Sequence, residues 1–142
     1  MTSTLIHKDS YEQLTSRQVK EVIEYLHQNT TQFNITVKLK HIEFNPKLPQ
    51  SIYERLNEYT MFTLANFTFS SLKIFDNHIE FETGFGSSNF GSVCSMPYHS
   101  IFQLGLEDSI LFINPVATID KVFQKDLQKQ RSMNAFKLKG KL

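Results

Sequence analysis

The sequence predicts an α+β domain: one helix near the N-terminus, then a succession of short antiparallel strands. Three observations lead there. Val19, Val22, Ile23 and Leu26 recur at i, i+3, i+4 and i+7 with Lys20, Glu21 and Glu24 opposite, which is the apolar stripe of an amphipathic helix. From Asn34 onward the pattern changes to period two, in short runs closed by proline, glycine or asparagine. Between Leu72 and Phe81 that alternation brackets Asp76-Asn77, residues suited to a tight hairpin turn, and it leads into Gly84-Phe85-Gly86-Ser87-Ser88-Asn89-Phe90-Gly91.

Each element follows in order. Residues 1–14 lack periodicity and are predicted to be a flexible N-terminus. Thr15 and Gln18 have the spacing of a capping box, so the helix is predicted to begin there. Its stripe can pack on the chain's own sheet or on its copy in a second subunit, and amphipathic helices more often serve their own core. Val19, Val22, Ile23 and Leu26 are therefore also the candidate dimer interface. Asn34 to Phe44 reads as a strand with Ile35, Val37 and Leu39 on one face. The switch to Ile42 and Phe44 predicts a bulge or bend near His41, and Pro46 and Pro49 end the run. A second capping box, Ser51-Ile52-Tyr53-Glu54, predicts a short helix.

Thr60 to Phe69 is apolar or hydroxylic except at Asn66, the composition of a strand covered on both faces and central in its sheet. Ser92 to Met96 is predicted to return as a strand. Pro97 suits an edge or the first turn of a short helix through Leu104. Ser109 to Ile113 is the last strand, closed by Asn114-Pro115, and the folded body is predicted to end near Ala117. Ile119, Val122, Phe123 and Leu127 then outline a final amphipathic helix, with residues 132–142 predicted to be unstructured.

Composition fits one domain of 142 residues, with Phe a frequent core residue at 13 copies. The single Cys94 rules out an intramolecular disulfide, and Met1 to His7 has no apolar run of the signal-peptide kind, so a reducing cytoplasm is the expected setting. The near-neutral net charge of +1 conceals an asymmetry. Residues 1–118 carry 8 Lys+Arg against 12 Asp+Glu, a net −4, whereas residues 119–142 carry 7 against 2, a net +5. Such a basic terminal block is either a solvated tail or a docking arm.

The residues that could carry catalysis do not form a constellation in the sequence. His7, His27, His41, His78 and His99 are scattered, and no pair has the i, i+4 spacing of a helical zinc site, so no metal or other cofactor is expected. Cys94 and His99 lack a third orienting group, and a buried structural cysteine is the better reading. Glu80 and Glu82 alternate with Ile79 and Phe81 on a solvated sheet face. Gly84-Phe85-Gly86 begins like a dinucleotide fingerprint, but Asn89 stands where the third glycine belongs and no long helix follows. No catalytic residues are assigned, and a non-enzymatic role is expected. Phe81, Phe85 and Phe90 also suit a stacking platform for single-stranded nucleic acid, helped by the basic tail but opposed by the acidic body.

The order of these motifs resembles the stringent starvation protein B (SspB) family, adaptors that hand tagged proteins to the ClpXP protease. The likeness covers Thr15 to Ala117 and is nearest to the divergent branch. It runs through Ser51 to Leu56, Met61 to Leu64, Phe69 with Leu72-Lys73-Ile74, and Ile79 through Phe85-Gly86. Val93, Met96-Pro97, Ile101-Phe102 and Ile110 to Pro115 continue it. The resemblance implies a small, bent antiparallel β-barrel or sandwich with an N-terminal helix, forming a homodimer without cofactors. Each subunit would hold an extended degradation tag of the ssrA type in a groove formed by Leu64, Ala65, Asn66, Gly84, Phe85 and Gly86. Phe67 and Phe90 are candidate pocket walls.

At Gly84 the better-known branch of the family carries a basic residue, so the tag preference of this chain is expected to differ. In the family a linker ends in an apolar-basic motif that docks on the ClpX unfoldase, and Phe136-Lys137-Leu138-Lys139-Gly140-Lys141-Leu142 has that character. If Ile119 to Arg131 is helical, the remaining tether spans about 18 Å on average, against about 29 Å if the chain is unfolded from residue 116. The expected organisation is thus residues 1–14, a substrate-binding domain over 15–117, and a docking tail over 118–142.

Overall fold

The computed structural model of the protein describes residues 5–119. It is an α+β fold in which one long helix, α1 (Asp9–Asn29), precedes eight strands arranged in two antiparallel sheets. The first sheet has the order β3-β1-β7-β8, with β1 Gln32–Lys38, β3 Tyr59–Ala65, β7 Ile101–Leu106 and β8 Ser109–Ile113. The second has the order β2-β6-β5-β4, with β2 Glu43–Asn45, β4 Lys73–Ile74, β5 His78–Phe85 and β6 Phe90–Pro97. Among the described residues the two sheets remain separate, so the two-sheet alternative is observed and not a closed barrel. No described helix is long and apolar enough to cross a membrane.

Helix α1 starts earlier than Thr15. The Thr15 hydroxyl donates to the carbonyls of Tyr11 and Glu12, both at 3.1 Å, and the residue is buried, so it serves the helix interior and not its cap. Asp9 and Glu12 in the first turn suit the positive end of the helix dipole. The predicted stripe is fully committed to the chain's own core. Val19 and Ile23 are 0% exposed and Leu26 3%, with Val22 packed at their margin. Burial of each contributes about 1.5–3 kcal/mol. The three buried side chains are therefore unavailable to a second subunit, which corrects their assignment to a dimer interface.

The bend expected near His41 is a 3-10 turn, Leu39–His41, that carries the chain from β1 in one sheet to β2 in the other. The second helix, α2 (Gln50–Tyr53), opens at Pro49 without a side-chain cap, so the Ser51 box does not form. Pro97 is followed by a single 3-10 turn, Tyr98–Ser100, and Ile101 already lies in β7. The helix predicted through Leu104 is replaced by a strand because Ile101 and Leu104 fill the core from β7, at 0% exposure each.

The largest correction concerns residues 60–69. Among the described residues β3 is an edge strand paired only with β1, and its burial alternates: Thr60, Phe62 and Leu64 face inward, whereas Met61 and Thr63 face out. Thr63 is tolerated there because its hydroxyl donates to Asn34 Oδ1 at 3.0 Å across the strands. The strand stops at Ala65. Asn66 takes a left-handed φ of 52° and starts a short helix, α3 (Asn66–Ser71). The last strand ends as expected: Asn114, 0% exposed, donates from Nδ2 to the Ile101 carbonyl at 3.1 Å and accepts from the Val116 N–H at 3.1 Å. The helix expected from Ile119 through Arg131 extends, and the docking motif expected at residues 136–142 lies, outside the described residues.

Candidate functional site

Helix α3 fills the margin between the two sheets, and its two phenylalanines divide the work. Phe69 turns inward, its ring 5.9 Å from that of Phe33 and 4.7 Å from that of His27. His27 Nε2 lies 3.2 Å from the Phe69 carbonyl, so that nitrogen carries a proton and donates. Phe67, two residues earlier, points the other way and is 65% exposed. At the far end, Ser71 Oγ donates to the Thr68 carbonyl at 2.7 Å and accepts from the Glu82 N–H of β5 at 2.8 Å. A six-residue helix spans about 9 Å. It thereby joins the end of β3 to the middle of β5.

Beside α3, two strand edges have no further strand partner among the described residues. Among the described residues β3 has no partner beyond β1. β5 is paired with β6 along its whole length, but β4 covers its other edge only at Ile79 and Glu80. From Glu82 to Phe85 that edge has only the Ser71 hydroxyl. The two strands are locked face to face beneath it: the Phe62 ring lies 5.2 Å from Phe81 and 6.2 Å from Phe85. A cleft of about 270 Å³ opens beside α3 over the outward face of β5 and β6.

The predicted site residues separate into two groups here. Ala65, Asn66, Phe67, Gly84 and Gly86 are at or near the surface of this margin. The side chains of Leu64, at 0% exposure, and Phe85, at 7%, are in the core, where they hold the two edges in place and line no groove. Phe90 is half-buried opposite Phe85, on the inward face of the hairpin. Phe81 at 1% exposure is likewise unavailable, so a nucleic-acid platform would lack two of its three rings.

The glycine segment is a tight connection between β5 and β6. Gly86 has φ 71° and Asn89 φ 54°, and the Asn89 N–H donates to the Gly86 carbonyl at 3.1 Å. Gly84 faces Gly91 across the hairpin. A Cβ at Gly84 would stand 1.7 Å from Asn89 Oδ1, so the Asn89 amide occupies the space in which a side chain at 84 would begin. The sequence marks Glu82 as a solvated-face residue and Asn89 as a departure from a dinucleotide fingerprint; their contacts here, like that of Ser71, arise between elements.

Cys94 is 0% exposed in β6, and burial pushes its thiol up to about 12, which keeps it protonated and unreactive at neutral pH. The His99 ring packs against His41 at 5.4 Å. Among the described residues no three of His, Cys, Asp and Glu come together as a metal-binding group. No protein-family model and no curated protein matches this chain.

Proposed function

We propose that this chain is a non-catalytic adaptor of the SspB kind, which holds an extended degradation tag of the ssrA type and brings tagged proteins to the ClpX unfoldase of ClpXP in the cytoplasm. The observation that carries this reading is the pair of uncovered strand edges flanking α3 with Phe67 exposed between them. An extended peptide added beside such an edge gains main-chain hydrogen bonds worth about 0.5–1.5 kcal/mol each, while an aromatic side chain selects among its residues. A regular edge strand is also the kind of surface that soluble proteins usually protect. The basic segment with Phe136, Lys137, Leu138, Lys139 and Leu142 is the docking arm in this reading. Tethering raises the local concentration of a client at the unfoldase to about millimolar without a new contact. Self-association would use a surface other than the buried α1 stripe.

Titration of the full chain with a fluorescent ssrA-type peptide tests the reading. Saturable binding is expected, lost in Phe67→Ala with the circular dichroism spectrum unchanged. Removal of residues 133–142 is expected to leave peptide binding intact and abolish delivery to ClpXP. Absence of binding at high micromolar peptide would count against the reading, as would loss of peptide binding in the truncated chain.

A further inference from the structure

The cleft beside α3 has an uneven charge. Its walls include Phe67, Ser70, Lys73, Glu80, Glu82 and Val93. Glu80 already has close neighbours: the cationic Lys73 is its cross-strand partner, and His78 Nε2 stands 3.6 Å from Glu80 Oε1. Glu82 differs. Its backbone is fixed by the Ser71 hydroxyl at 2.8 Å, while its exposed carboxylate has no ion-pair partner among the described residues. Beyond it, toward the hairpin tip, the outward face of the sheet is bare at the cross-strand pair Gly84 and Gly91. A segment lying along this face meets backbone, the Lys73–Glu80 cross-strand pair, the carboxylate of Glu82 and one exposed ring.

We infer that this groove selects a cationic residue in the extended segment it binds, with Glu82 supplying the charge and Phe67 the ring. The inference rests on the peptide-binding reading above and specifies its ligand. A lysine or arginine side chain entering the cleft meets a carboxylate and the electron-rich ring of Phe67, both of which favour it. An aspartate in the same place meets like charge. At Gly84 the Asn89 amide fills the space beside the backbone, so that position offers no charge to offset Glu82.

Three labelled extended peptides that differ only by Lys, Asn or Asp at one position, scanned along the sequence, test this by fluorescence anisotropy on the full chain. At low salt the best Lys peptide is expected to bind about threefold to tenfold more tightly than its Asp counterpart, the size of an exposed ion pair and an exposed cation–π contact together. Glu82→Gln should bring the three together, and Glu82→Lys should reverse their order. An unchanged order in all three proteins, or a preference of the unmodified chain for Asp, would overturn the inference. Equal binding of all three peptides would overturn charge selection and leave peptide capture standing. Failure of all three to bind the unmodified chain would remove both.

Discussion

The two edges of the first sheet, β3 and β8, are built differently. β3 pairs with β1 over seven residues without a break in register, from Gln32 opposite Ala65 to Lys38 opposite Tyr59. β8 pairs with β7 through a bulge: Leu104 faces Phe112 and Gly105 faces Ile110, which leaves Leu111 without an opposite number. A regular edge offers hydrogen-bonding groups at the spacing an added strand needs. A bulge breaks that spacing and increases the local twist, which protects an edge against pairing. This matters for β8, because Ile110, Leu111 and Ile113 are 58%, 48% and 51% exposed and would otherwise form an adhesive strand. One sheet therefore has a receptive edge and a guarded one.

The harshest test of the receptive edge is Leu64→Asp. Leu64 is 0% exposed and anchors the inward face of β3, so a buried charge there is expected to lower stability by more than about 4 kcal/mol, read as a collapse of the urea midpoint. On the guarded side, Asn114→Ala removes the side-chain bonds to the Ile101 carbonyl and the Val116 N–H that pin the end of β8. A loss of about 2 kcal/mol is expected by the same measurement. Gly105→Ala acts on the bulge itself. Its Cβ would meet the Ser109 carbonyl oxygen at 2.6 Å, a backbone atom that cannot swing aside, and a loss of about 1 kcal/mol is expected.

Cys94 lies in the second sheet, away from both edges, and serves as a control. Its thiol is raised in the folded state, to about 12, so the folded chain binds its proton more tightly than the unfolded one. The stabilisation is complete below the ordinary thiol range near pH 8.5 and is lost as pH rises toward 12, at no more than about 1.4 kcal/mol per pH unit. Cys94→Ala should flatten that part of the stability profile relative to the unmodified chain. The smallest stability effect belongs to Phe67→Ala. The ring is 65% exposed, so a change within about 0.5 kcal/mol is expected, although peptide capture is lost.

The sequence pattern reveals elements with strong periodicity and misses what depends on neighbours. The stripe from Val19 to Leu26, the turn at Asp76-Asn77 and the last strand at Ser109 to Ile113 are all visible, because each is dictated locally. Whether Thr60 to Ala65 is central or marginal is a property of sheet order, and its run of apolar and hydroxylic residues suits either position. The Thr15 and Ser51 capping boxes failed because helical hydrogen bonding began upstream of both. At the site, Phe67 is the one expected groove residue that lines the cleft beside α3, whereas the inward turn of Leu64 and Phe85 follows from the alternation of β3 and β5. The Asn89 amide over Gly84 and the Ser71 hydroxyl on Glu82 are contacts made by folding.

Amide hydrogen exchange with and without an ssrA-type peptide tests the receptive edge most directly. Added as a strand, the peptide is expected to slow exchange at alternate amides of β3 and in the Glu82–Phe85 stretch of β5, while β8 exchanges as before. Unchanged exchange in β3 at saturating peptide, or protection that falls on β8 instead, would contradict the account.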